Sequence, residues 1–181
     1  MKLYRFSPIK TKDELLKAIE HVHFESYRLC KQSFGKYFAN AENMGIFCQY
    51  DDEYETLTNI RKELTEESDN MKQKYFRLLE PIVIPAKGDV PEQTYSYLYI
   101  RRPDPYRHQV GDADFYLPPE KYAKLKQEML AGKKVKGARI FDRPDLDMIE
   151  LYAPDIDVLT YVSTSTIAES VRVKLSEHTK L

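Results

Sequence analysis

Between positions 110 and 163 the apolar period changes from two to that of a helix and back to two, and this confines the chain to few architectures. Residues 110–117 alternate as a strand would. Pro118 and Pro119 open a helix running to Leu130, with Tyr122, Leu125 and Met129 on its inward side and Gly132 as its stop. Three further strands follow at 138–141, 148–152 and 158–162, separated by turns at Arg143-Pro144-Asp145 and Pro154-Asp155. One helix covers only one face of such a sheet, so the other face is expected to stay open.

The preceding residues echo this order. Residues 45–50 have strand character. Asp51 and Asp52 are placed to cap a helix over 53–69, with Leu57, Ile60 and Leu64 inward. Strands at 75–84 and 95–102 follow, joined by a loop containing Pro85, Gly88 and Pro91. Ahead of them, residues 3–6 alternate as a short edge strand stopped by Pro8, and Thr11 with Glu14 forms a capping box. Leu16, Ile19, His23, Tyr27, Cys30 and Phe34 then mark one face of a helix ending near Gly35. The alternative is a strand over 18–24, where Val22 and Phe24 alternate with the histidines. Thr166 and Glu169 make a second capping box.

The expectation is therefore one α+β domain over residues 1–181. A strand–helix extension (1–44) precedes a β-α-β-β unit (45–109) and a β-α-β-β-β unit (110–163), and a helix (164–181) closes the chain. The paired units would share a curved, mostly antiparallel sheet with a cup on its open face.

A chain of this length buries roughly 70% of its unfolded surface and needs no disulfide staples. Cys30 and Cys48 have no C-x-x-C spacing and read as reduced, buried thiols. Residues 1–9 hold no apolar signal-peptide core, and no run reaches the ~18–20 apolar residues of a membrane span. A cytoplasmic protein without a membrane partner is expected. Lys and Arg number 28 against 29 Asp and Glu, a formal net charge of −1, so the balance argues against a nucleic-acid partner. Tyrosines number 14, with no Trp, which suits half-buried sheets.

The second half resembles a module of the vicinal oxygen chelate superfamily, the glyoxalase and extradiol-dioxygenase relatives. The resemblance rests on the strand 110–115, the helix 119–130, and Ile140-Phe141-Asp142-Arg143-Pro144-Asp145 leading to Met148-Ile149-Glu150-Leu151-Tyr152. It implies a divalent metal in the cup, with Glu150 at the glutamate position. The first-strand position, often His in that family, carries Asp112 or Asp114, so the resemblance also implies a degenerate metal site. The first unit offers Gln49, Cys48, Tyr97 or Tyr99.

Four constellations are candidates for chemistry. His21-Val22-His23 could hold a metal with Glu150 only if the segment were a strand; on a helix, His21 is a solvated histidine and His23 a core one. Arg101, Arg102, Arg107 and His108, on a proline-stiffened loop, could take a carboxylate or phosphate, bind nucleic acid, or pair locally with Asp104 and Asp112. Asp112 with Asp114, and Met148 with Glu150, share strand faces, so paired carboxylates could act as acid and base if desolvated. Tyr95, Tyr97 and Tyr99 alternate and could line a pocket or form a ladder.

The site expected from these is Glu150 and Asp114 as acids, with Glu150 and His21 as candidate metal ligands. Tyr97 and Tyr99 would form the wall, and Arg101 and His108 the anion contacts. The function expected is binding of a small molecule, with lyase, isomerase or dioxygenase-like chemistry as its enzymatic form. The alternative is an interaction protein whose tyrosine-rich sheet pairs with a partner or with a second copy as a homodimer.

Overall fold

The computed structural model describes residues 4–70, 72–143 and 146–165. Helix α1 (Lys12–Phe34) begins at the capping box: the Thr11 hydroxyl accepts the Glu14 N–H at 3.2 Å, and the Glu14 carboxylate accepts the Thr11 N–H at 3.1 Å. It ends at Gly35, whose φ of 69° lies in the left-handed region open to glycine. Leu15, Ala18, Ile19, Val22, Tyr27, Leu29 and Cys30 are buried along one stripe. Residues 18–24 are thus helical, because three- and four-residue spacing sustained over the whole segment outweighs a brief alternation.

The remaining elements are β1 (Ala39–Phe47), α2 (Asp51–Leu64), β2 (Phe76–Ile84), β3 (Gln93–Arg101), β4 (Gly111–Tyr116), α3 (Pro119–Leu130), β5 (Ala138–Arg143), β6 (Leu146–Leu151) and β7 (Leu159–Ser163). All seven strands form one sheet in the order β2-β3-β1-β4-β7-β6-β5. In each half the first strand lies parallel to the last, β1 on β3 and β4 on β7, while the hairpins pair antiparallel. β1 and β4 meet antiparallel at the seam between the halves. The fold is α+β, with a mixed and mainly antiparallel sheet.

The main core lies between one sheet face and the helices. Val22 and Leu29 of α1, Leu57 of α2 and Tyr122 of α3 join Met44, Ile46, Leu98, Phe115, Ile149 and Val162 there. A smaller cluster of Ala41, Tyr75, Tyr97 and Tyr116 gathers apart from it, with Tyr99 against it. Strand alternation assigns this cluster to the opposite face, which is helix-free among the described residues.

Several expectations are corrected. Residues 4–10 form no strand, and the C-terminal helix expected over 164–181 falls almost wholly outside the described residues. β1 begins at Ala39, not 45. Its opening Ala-Asn-Ala-Glu-Asn has little strand propensity, and it bulges between Asn40 and Met44 with Glu42 at φ 65°. The N-cap of α2 is Tyr50, which places Asp51 and Asp52 inside the first turn, and the helix stops at Leu64. Glu53, 2% exposed, does the local fastening: its carboxylate accepts the N–H of Gln49 at 2.7 Å and that of Ile9 at 2.8 Å. Both cysteines are free and buried. No helix among the described residues is long and apolar enough to cross a membrane.

Candidate functional site

The strand registers set one polar row across the helix-free face. Asp114 on β4 stands opposite Tyr161 on β7, Tyr161 opposite Glu150 on β6, and Glu150 opposite Arg139 on β5. Toward the other half, the Asn43 side-chain amide on β1 donates to Asp114 Oδ2, and Asn43 stands opposite Tyr97 on β3. Two residues along β4, Asp112 lies opposite Gly45 of β1, which in turn lies opposite Tyr99 of β3.

Gly45 is where β1 makes room for Asp112. A β-carbon built there would lie 2.2 Å from Asp112 Oδ1, so the Asp112 carboxyl leans into the space that the missing side chain leaves. Asp112 is 6% exposed, and its Oδ1 has no hydrogen-bond partner among the described residues. An unpaired polar atom in such a place is costly unless a ligand or a proton answers it. Burial raises the Asp112 carboxyl far above the ordinary range, and the charge of Asp114 raises it further, against the pull of Arg101, the nearby Gly45 N–H, which falls short of a well-formed hydrogen bond, and Arg107. Burial also raises Asp114, although the Asn43 amide and the Tyr75 hydroxyl, at 3.5 Å, stabilise its anion. Two buried carboxyls that repel one another's charge hold a proton near neutral pH.

Glu150 is 1% exposed, and both its oxygens are engaged. Arg139 donates to Oε1 at 2.6 Å, while Arg107 and the Tyr161 hydroxyl donate to Oε2 at 3.2 and 3.1 Å. Arg101 approaches from β3, pairs with Asp104 at 2.7 Å and lies 4.8 Å from the Phe47 ring. Tyr99, half-buried beside Tyr75 with ring centres 5.5 Å apart, walls this end.

The expected site residues divide accordingly. Glu150, Asp114, Tyr99 and Arg101 come together on this face, and Tyr97 lies beneath them in the buried cluster. Tyr95 leaves the ladder and packs in the main core. Its hydroxyl meets His23 Nδ1 at 3.0 Å in the main core. Burial lowers His23 to about 4, a neutral core histidine. His21 sits on α1 at the other face, 2.6 Å from Asp157 and stacked on Phe6, so it does not join Glu150. Burial would raise Asp157, but hydrogen bonds from Arg5 and His21 outweigh it and hold the carboxyl low. His108 is exposed on its loop, and Arg107 holds the inward position expected of it.

Asp112 was visible as half of a carboxylate pair, and Arg107 as part of a basic loop. Asn43, Gly45, Arg139 and Tyr161 carried no signal of their own, since only strand register brings them here. The set does not fit a divalent metal. Glu150 spends its oxygens on two guanidiniums and a hydroxyl, and no group of three His, Cys, Asp or Glu among the described residues could hold a metal ion.

No family model matches the chain, and no curated protein matches it either. Among solved structures it is similar to a methylmalonyl-CoA epimerase of Streptomyces coelicolor in complex with 2-nitronate-propionyl-CoA. The TM-score is 0.34 at 19% identity, covering 71% of this chain and 98% of that one. A glyoxalase/bleomycin resistance protein/dioxygenase superfamily member from Vibrio splendidus gives 0.34 at 5% identity, covering 67% and 95%. A methylmalonyl-CoA epimerase in complex with methylmalonyl-CoA and NH4+ gives 0.35 at 18%, covering 77% and 100%. At TM-scores this low the likeness bears on neither site nor activity.

Proposed function

We propose that the protein binds a small molecule on the helix-free sheet face and moves a proton on it, as an isomerase or lyase does, with Asp112 and Asp114 as the acid–base pair. The observation that carries this is the unpartnered, nearly buried Asp112 Oδ1, leaning over Gly45 beside a second buried carboxyl. A carboxyl raised toward neutrality is matched to proton transfer at the pH of a cell. Tyr99 walls the space, and Asn43 and Tyr75 orient Asp114. In this reading Glu150, with both oxygens occupied, is a positioning residue that orients Arg107 and Arg139.

Carboxyl-selective 13C NMR across pH tests the reading. Two groups should titrate above the ordinary carboxylate range of about 4, and Asp112→Asn should remove one of them and leave the other, Asp114, raised by its burial. Proton–deuterium exchange into a panel of small carbonyl compounds should then fall on the order of a hundredfold or more in the same variant. Two carboxyls titrating normally, with no exchange in the panel, would refute the assignment.

A further inference from the structure

The arginines on Glu150 outnumber the carboxylate that holds them. Arg101 is matched one-to-one by Asp104, whereas Arg107 and Arg139 share the single Glu150. The surplus is placed for use: the Arg139 side chain is 52% exposed and that of Arg107 22%, while Glu150 is sealed beneath them. Each guanidinium has five N–H donors. Arg107 spends Nη1 on Glu150, and Arg139 spends Nε and Nη2, which among the described residues leaves Nη1 of Arg139 and the far edge of Arg107 for something else. A buried carboxylate bracing two guanidiniums fixes their planes before any ligand arrives.

The surroundings carry the same sign. At the β5 edge an open cleft of about 610 Å³ is lined by Lys133, Lys134, Lys136 and Arg139, with Lys133 alone among these lysines paired to a carboxylate, Glu128, among the described residues. Such an edge draws anions toward Arg139. Three strand spacings, about 14 Å, separate the backbone of β4 from that of β5, and the Arg139 side chain reaches back to Glu150 on β6, which shortens the gap to Asp112.

We infer that the ligand of this face is a small carboxylate, its charged end held by Arg139 and Arg107 and its other end reaching Asp112 over Gly45. This rests on the proton-transfer reading for the role of Asp112, but not for the anion site itself. The paired oxygens of a carboxylate match the guanidinium edge, which a neutral amide of the same shape does not.

NMR titration of the full chain with sodium acetate, malonate and succinate, against their amides and inorganic phosphate at constant ionic strength, reads the site directly. Carboxylates should bind and shift the Arg139 and Arg107 side-chain signals, the amides should not, and phosphate should bind more weakly. Arg139→Gln should weaken carboxylate binding about tenfold or more, a loss of one oriented charge contact. Arg139→Lys, which keeps the charge over Glu150 and serves if the glutamine variant does not fold, should weaken it less but measurably. Asp112→Asn, which alters only the contact at the ligand's far end, should weaken carboxylate binding less than Arg139→Gln does. If it does so while proton exchange is absent in the unaltered protein, the anion site stands and the proton-transfer reading falls. Equal binding of amides, tighter binding of phosphate, or carboxylate binding unchanged in either Arg139 variant overturns the inference.

Discussion

The two halves share one plan and spend their open faces differently. Each begins with a strand that its own last strand flanks in parallel, but the second half has three strands after its helix where the first has two. The first half presents Ala41, Tyr97, Tyr99 and the bare Gly45, which are rings and room. The second presents Asp112, Asp114, Tyr161, Glu150 and Arg139, which are charge and hydrogen bonds. The proposed site lies where the seam sets the rings of one half against the charge of the other.

The largest expected effect lies on the charged side. Glu150→Ala leaves two guanidiniums crowded over an apolar floor and should cost about 3 kcal/mol of stability, at the lower end for a broken buried ion pair because both arginines reach solvent. Urea denaturation measures it, and a loss within error would mean that the second half does not depend on its charges. Gly45→Ala comes next. Its methyl enters the space of Asp112 Oδ1, and overpacking of this kind costs about 1–3 kcal/mol. Combined with Asp112→Ala, it should lose much of that cost, and the double-mutant cycle reports the coupling across the seam. Additive losses would break the complementarity between the halves.

The smallest effect at neutral pH has the clearest signature. Asp112 and Asp114 have folded-state values above their unfolded ones, so the native state holds protons that the unfolded chain has released. Their contribution is therefore full below about 4 and is lost as pH rises through neutrality. Asp112→Asn should flatten this slope and raise stability on the order of 1 kcal/mol at mildly alkaline pH. Asp157 works in the opposite sense: its depressed value gives stability that is present above the unfolded value and lost as pH falls below it. Denaturation midpoints of both proteins from pH 2 to 9 separate the two, and parallel profiles would count against a raised Asp112.

What could be read from the sequence was what local spacing encodes. The Thr11–Glu14 box, the Gly35 stop and the alternation from 110 to 163 each act over a few residues, and each element formed near its expected place. Asp114, Tyr99 and Arg101 could be proposed because they alternate on strands. The partners of Glu150 could not, since a hydrogen bond between Arg139 and Glu150 depends on how β5 slides along β6. The β1 start was hidden for a physical reason: Asn40 and Asn43 are buried polar residues in a bulge, where their side-chain bonds replace strand propensity. Tyr95 was assigned to the face of Tyr97 and Tyr99 because it keeps their two-residue spacing, whereas its hydroxyl is drawn to His23 and Asn40.

The seam has a mechanical consequence. Gly111 stands opposite Ile46, and a β-carbon there would meet the Gly45 carbonyl oxygen at 2.1 Å and the Val22 side chain of α1 at 3.0 Å. The joint is therefore keyed. Two notches, one on each strand, accept a neighbour's carbonyl and a neighbour's carboxyl, and α1 sits across them like a bolt. Sliding either strand by one pleat would bring a side chain into a notch, so the halves assemble in a single alignment. The acid over the gap is held in place by that joint.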